Sequence, residues 1–166
     1  MKKIIICMVV LLFTAFNGFS YISIPEPVKF KGFYIGMSKS KVQEVYKKLQ
    51  ADKFAEYISI ESENYRDIIK IDNEFSSMGN KVEVFYNESG RVTGITFQYK
   101  TVSILFKNGS QSAEEFMEAF TKEYDLPKME FNDMGMVKTW KCKLESEGFQ
   151  ISIDNSKNLR IQMLKK

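Results

Sequence analysis

The stretch "KVEVFYN", residues 81 to 87, carries Val82, Val84 and Tyr86 at every second position, with Lys81, Glu83 and Phe85 between them. Successive side chains of a strand point to opposite faces, so this pattern describes a strand with one covered and one wet face. Three further stretches share it: "RVTGITFQY" through Ile95, Phe97 and Tyr99, "GFQISID" through Phe149, Ile151 and Ile153, and "LRIQML" through Leu159, Ile161 and Met163. Clean alternation belongs to antiparallel sheets; parallel ones are covered on both faces. The turn residues Asn87-Glu88-Ser89-Gly90 join the first two stretches as a hairpin, and the polar loop Asn155 to Asn158 separates the last two. Weaker strand signals cover Ala55 to Ile60, Arg66 to Ile71, Val102 to Phe106 and Met136 to Lys143.

Two segments change to the helical period. In "GMSKSKVQEVYKKLQ", Val42, Val45, Tyr46 and Leu49 recur at i, i+3, i+4 and i+7, with Ser38 as the N-cap. In "SQSAEEFMEAFTKEYDLP", Ser112 and Glu115 have capping-box spacing, Phe116, Ala119 and Phe120 form the apolar stripe, and Pro127 enforces the end.

Helix and hairpin both recur. A shift of 67 brings Val82 onto Phe149, Val84 onto Ile151, Tyr86 onto Ile153 and Val92 onto Leu159, and a shift of 74 brings Val42 onto Phe116 and Tyr46 onto Phe120. This reads as a doubled unit; the alternative is that period two makes any two amphipathic hairpins look alike. The expected fold is α+β, with two helix-plus-antiparallel-sheet units at 21–106 and 107–166, each helix packed on one sheet face. The two units form one compact domain.

The opening of the first unit, "FKGFYIGMSKSKVQEVYKKL", resembles that of small exported bacterial proteins of the β-lactamase-inhibitor-protein-like and outer-membrane-assembly lipoprotein (SmpA/OmlA) families. The matching residues are Ile35, Gly36, Met37, Ser38 and Val42. The resemblance implies one or two units of helices on an antiparallel sheet, used for binding other proteins. It also implies a second short helix, for which Ala51 to Tyr57 is the only room.

The N-terminal residues bear on compartment. Lys2-Lys3, an apolar run from Ile4 to Phe16, and the small residues Gly18 and Ser20 follow the order of a secretory signal peptide cut after Ser20. This run of thirteen residues, broken only by Thr14, falls short of the roughly twenty that span a bilayer. The rival reading is an uncleaved anchor reaching Ile24, diluted by Asn17, Gly18, Ser20 and Ser23. Cys7 opens the apolar run and is badly placed for lipid attachment. Export to the periplasm or beyond is the expectation, with membrane contact only through an uncleaved signal.

Removal of Lys2 and Lys3 turns 24 basic residues into 22, against 21 acidic ones, leaving a charge of +1. That is no footprint for nucleic acid, which wants a basic face. Cys142 is then the one cysteine left, so no internal disulfide forms. Its alternation with Trp140 and Leu144 predicts a buried, inert thiol, with an intermolecular disulfide as the alternative.

The chain has no histidine, the commonest general base and transition-metal ligand. No cofactor or metal is expected. Ser38 and Lys41 have the S-x-x-K spacing of penicillin-recognising enzymes, but S-D-N and K-T-G elements are missing, and a Ser N-cap ahead of a lysine-rich face explains the pair. Asp72-Asn73-Glu74 and Asp154-Asn155-Ser156 lack the calcium-loop spacing and read as turns. Among the aromatics, Phe85 falls on the sheet face opposite Val84 and is a candidate partner contact, as are Phe33 and Tyr34 ahead of the first helix. The expected function is therefore a non-catalytic module, not an enzyme, that binds another exported or envelope protein. A carrier of a small apolar ligand between helix and sheet, and a hydrolase using Ser38 and Lys41, are the alternatives.

Overall fold

The computed structural model describes residues 26–52, 55–72, 78–107 and 111–164. The expected signal peptide, and Asn73 and Glu74, lie outside them. Among the described residues three helices, α1 (Lys39–Ala51), α2 (Tyr99–Phe106) and α3 (Ala113–Glu123), accompany eight strands. These are β1 (Tyr57–Ser62), β2 (Arg66–Asp72), β3 (Lys81–Tyr86), β4 (Val92–Phe97), β5 (Glu130–Met134), β6 (Val137–Leu144), β7 (Phe149–Asp154) and β8 (Leu159–Met163). The class is α+β, with more sheet than helix.

The strands form one antiparallel sheet in the order β1-β2-β3-β4-β8-β7-β6-β5. Two four-stranded meanders, each preceded by a helix, are thus welded edge to edge through β4 and β8, where Ile95 faces Ile161. The ladders give the two meanders different registers. Phe85 lies opposite Gly94 and Tyr86 opposite Val92, so Thr93 is an extra residue bulged out of β4. Val84 pairs with Ile95 and Ile151 with Ile161, so beyond the bulge the displacement between the meanders drops from 67 to 66.

All three helices lie on the same face. Val42 and Leu49 of α1, Val102 and Leu105 of α2, and Phe116 and Phe120 of α3 enter one core with Val82, Val84, Ile95, Phe97, Ile151 and Ile161. Ala119 stays exposed and Met117 takes a place at the core edge instead. A tight turn at the N-terminal end fills the space between layers. Lys31 and Gly32 both take positive φ, Phe30 and Phe33 bond each other's backbones, and the two rings reach opposite halves. Phe30 stacks on Phe120 and meets Phe149 edge-on, while Phe33 meets Phe97. Phe106 continues the cluster to Phe97, Phe116 and Phe120 at centroid distances of 5.6 to 6.0 Å.

Four expectations change. Val102 to Phe106 is helix α2, not a strand, and Tyr99 starts that helix rather than extending β4. The run lacks a side-chain cap of its own; its first N–H groups donate to the Asn158 side chain and the Gly79 carbonyl, partners that only the fold brings near. Glu130 to Met134, without apolar alternation, forms the edge strand β5, held by pairing with β6. The second short helix does not occupy the described part of Ala51 to Tyr57: Asp52 caps α1 and Tyr57 begins β1. Phe33 is fully buried, so it cannot be a partner contact.

Candidate open-face binding site

With the three described helices on one face, no described helix covers the other face of the sheet, whose residues follow from the register. One row crosses it as Arg66, Phe85, Gly94, Gln162, Gln150 and Lys143 on successive strands, and the next as Ile68, Glu83, Thr96, Arg160, Ser152 and Lys141. Phe85, on the third strand from the β1 edge, retains 36% exposure on this face. Its ring lies across Gly94, where a Cβ would stand 3.5 Å from a ring carbon, so the missing side chain makes the seat for the aromatic. A shallow depression of about 520 Å³ runs from Phe85 and Gly94 over Gln162 and Gln150 to Lys143. A second, of about 420 Å³, shares Gln150 and Lys143 and continues past Lys141 to Lys128, with Glu130 and Glu145 also in its wall.

Charge is distributed unevenly along this trough. On the β1–β3 side, Arg66 bonds Glu63 at 2.9 Å and approaches Glu83 at 3.4 Å, and Lys70 bonds Glu61. The hydrogen bond from Lys70 holds the Glu61 carboxyl below its ordinary range, and Glu63 raises Arg66 in the same way. In the middle, on β8, Arg160 stands between Thr96 and Ser152 with only a distant contact, 4.0 Å, to Asp154, while the parallel row through Gly94, Gln162 and Gln150 is uncharged. On the far side Lys141 and Lys143 form no ion pair among the described residues, but Glu130 lies opposite Lys141 and Glu145 lines the same depression.

The other sequence-selected residues have structural employment. Ser38 Oγ accepts from the Lys41 backbone N–H and lies 2.9 Å from Ser40 Oγ, whereas Lys41 Nζ donates to the Tyr34 hydroxyl at 3.2 Å. Serine and lysine therefore do not converge. Tyr34 is half-buried with its hydroxyl engaged by Lys41, on the helix side of the molecule and away from Phe85. The residues that carried the family resemblance dock α1 on the sheet. Gly36 N donates to the Val92 carbonyl, Val92 N to the Met37 carbonyl, and Met37 is buried. Asp154 accepts from the backbone N–H groups of Ser156 and Asn158, closing the β7–β8 turn. Cys142 is buried, and burial pushes its thiol pKa up.

Sequence reasoning missed one buried constellation. Asp67, on the core face of β2, is fully buried; it accepts from the Tyr86 hydroxyl at 2.6 Å and from Gln43 Nε2 at 3.5 Å. Lys39 Nζ stands 3.4 Å from its other oxygen. Burial, then the bond to Asp67, raises the Tyr86 pKa. The signal was present as an acid in an otherwise core-facing position of "RDIIKID", between Arg66 and Ile68. The network ties the first turn of α1 to the sheet. Among the described residues, no three of Cys, Asp and Glu gather as a metal ion would require, and no helix is long and apolar enough to cross a membrane.

No family model, no curated protein and no solved structure matches this chain.

Proposed function

We propose that this chain is an exported, non-catalytic protein that binds another exported or envelope protein through the open face of its sheet. The observation that carries the reading is Phe85, an aromatic side chain held over Gly94 on a face that no described helix covers, with the ion-paired Arg66 on its other flank. Protein interfaces have this anatomy, an aromatic anchor in a desolvated centre and a polar rim. The basic start, apolar run and small residues of positions 1–20 support export. The layer between helices and sheet is packed with phenylalanine rings, which favours contact by the outer face over carriage of a ligand inside.

Two measurements test this reading. Protein recovered from cells should begin at Tyr21; a chain beginning at Met1 rejects cleavage. A photoreactive residue at Thr96, on the open face, should give one recurrent crosslinked species in the native host, lost on Phe85→Asp. The same residue at Glu118, on the exposed side of α3, should not give it. Equal yields from both faces, or none, reject the assignment.

A further inference from the structure

The sheet ends in two edges of different character, β1 and β5. On an edge strand alternate residues turn their N–H and C=O groups outward, and the neighbouring strand shows which ones do so. Ile71 donates its N–H to the Asn80 carbonyl, toward β3, so its pair with Ile58 makes no ladder bonds and Ile58 faces the free edge. There Gln50 of α1 reaches over and donates to the Ile58 carbonyl at 3.4 Å. Lys138 in the same way donates its N–H to the Asn155 side chain and accepts from the Asn155 N–H, both toward β7, so its pair with Asp133 makes no ladder bonds. Asp133 and, two positions back, Phe131 therefore point their N–H and C=O groups away from the sheet, with no strand beyond them among the described residues.

β5 is also open to a further strand. It contains no proline or lysine, and its register with β6 runs without a bulge from Glu130 opposite Lys141 to Met134 opposite Val137. Its two acids, Glu130 and Asp133, each already face a lysine of β6. All five residues are exposed, and on the helix side of the sheet the Phe131 ring lies 5.4 Å from Trp140 and keeps 55% exposure.

We infer that β5 pairs antiparallel with β5 of a second copy of this chain, about a two-fold axis at Phe131. Outward groups fall on odd-numbered positions, so the available registers differ by whole steps of two. A register centred on Asp133 sets two carboxylates directly opposite each other, and one that sets Phe131 against Met129 opposes Glu130 to Glu130; both are destabilising. Sliding Phe131 against Asp133 leaves the ring without an aromatic partner. The register centred on Phe131 sets ring against ring, Glu130 against Asn132 and Lys128 against Met134, with no like charges directly opposed. It also joins outward groups to outward groups, Phe131 to Phe131 and Met129 to Asp133. A two-fold contact demands this self-complementarity, which selects a second copy over an unrelated strand. The axis stands perpendicular to the sheet, so both open faces end on the same side and neither is covered by the pairing. The contact is small, a strand edge and two rings, and association is accordingly reversible.

Sedimentation velocity of the protein recovered from cells, over a concentration series, should show a monomer–dimer equilibrium. Phe131→Lys and Phe131→Glu should each raise the dimer Kd at least about tenfold, because like charges then meet at the axis. An equimolar mixture of the two variants should associate again, lysine facing glutamate; that rescue separates a lost contact from a lost fold, which circular dichroism checks in parallel. A chain that stays monomeric at every concentration overturns the inference. So do dimers indifferent to both Phe131 variants, and dimers lost instead on Phe85→Ala, which would assign the open face to a second copy. Stronger association of Phe131→Lys by itself would put residue 131 against Asp133, and a mixture that fails to associate would remove residue 131 from the axis; either result overturns the two-fold pairing at Phe131.

Discussion

A carboxylate with no exposure in the core of a chain this size has to be held by its neighbours, and Asp67 is held chiefly by one phenol. Tyr86→Phe removes that donor while keeping the ring. The expected loss is about 1–3 kcal/mol of stability, the cost of leaving a buried acceptor short of its partner, read from denaturant midpoints. The same pair predicts an alkaline limit. Tyr86 has a folded-state pKa above that of the unfolded chain, as do Tyr124 and Cys142, all mainly through burial. The folded protein therefore binds more protons than the unfolded one once pH passes the unfolded values, about 8.5 for the thiol and about 10 for the phenols, and stability falls as pH rises further. It is fully present below those values. Tyr86→Phe should flatten part of that decline in urea titrations between neutral and strongly alkaline pH; an unchanged slope would show that Tyr86 does not contribute to it. In the second meander, Cys142 stands opposite Ile151 as Asp67 stands opposite Val84, and α3 is held instead at its last residue, where Glu123 pairs with Lys31 at 3.2 Å.

At the scale of elements, legibility followed where each helix finds its caps. α3 carries its own, a reciprocal Ser112–Glu115 box, and its start was readable from those two residues. Ser112→Ala should cost about 1 kcal/mol. α2 borrows its caps. Asn158 accepts from the Tyr99 N–H across 59 positions and also donates to Asp154, so one side chain organises a helix start and the β7–β8 turn. Asn158→Ala should speed hydrogen exchange at the Tyr99 amide and lower stability by about 1 kcal/mol; protection unchanged at Tyr99 would refute the borrowed cap. A short apolar run containing Val102 and Ile104 reads as a strand when nothing local marks a helix start, and it was misread for that reason. β5 escaped notice for the opposite cause: an edge strand with every residue exposed has no apolar alternation to show, and its ladder to β6 is what makes it a strand.

For the whole molecule, the β4–β8 junction decides behaviour. It turns two meanders into a single sheet, and the Phe30–Phe33 turn feeds rings into both halves. Thermal unfolding should be one cooperative transition with matching calorimetric and van't Hoff enthalpies. Separate fragments 21–106 and 107–166 should each fail to fold, since each would expose a central strand of the sheet; two independent transitions would contradict this. The open face depended on the same assembly. That Phe85 opposes Val84 and Tyr86 followed from alternation alone, and so did the antiparallel character of the sheet and the start of two helices. Whether Phe85 would be covered did not follow, because burial depends on what packs from elsewhere in the chain. Phe33, indistinguishable from Phe85 by residue type, went into the core. The chain's local pattern determines which residues share a face and where α1 and α3 begin, because those are short-range consequences of a period and a cap. Only the tertiary structure decided that the three described helices cover one side, that Phe85 stays outside while Phe33 does not, and that Lys141 and Lys143 sit across the sheet from Phe85, because sheet order and layer packing join positions that no local pattern connects.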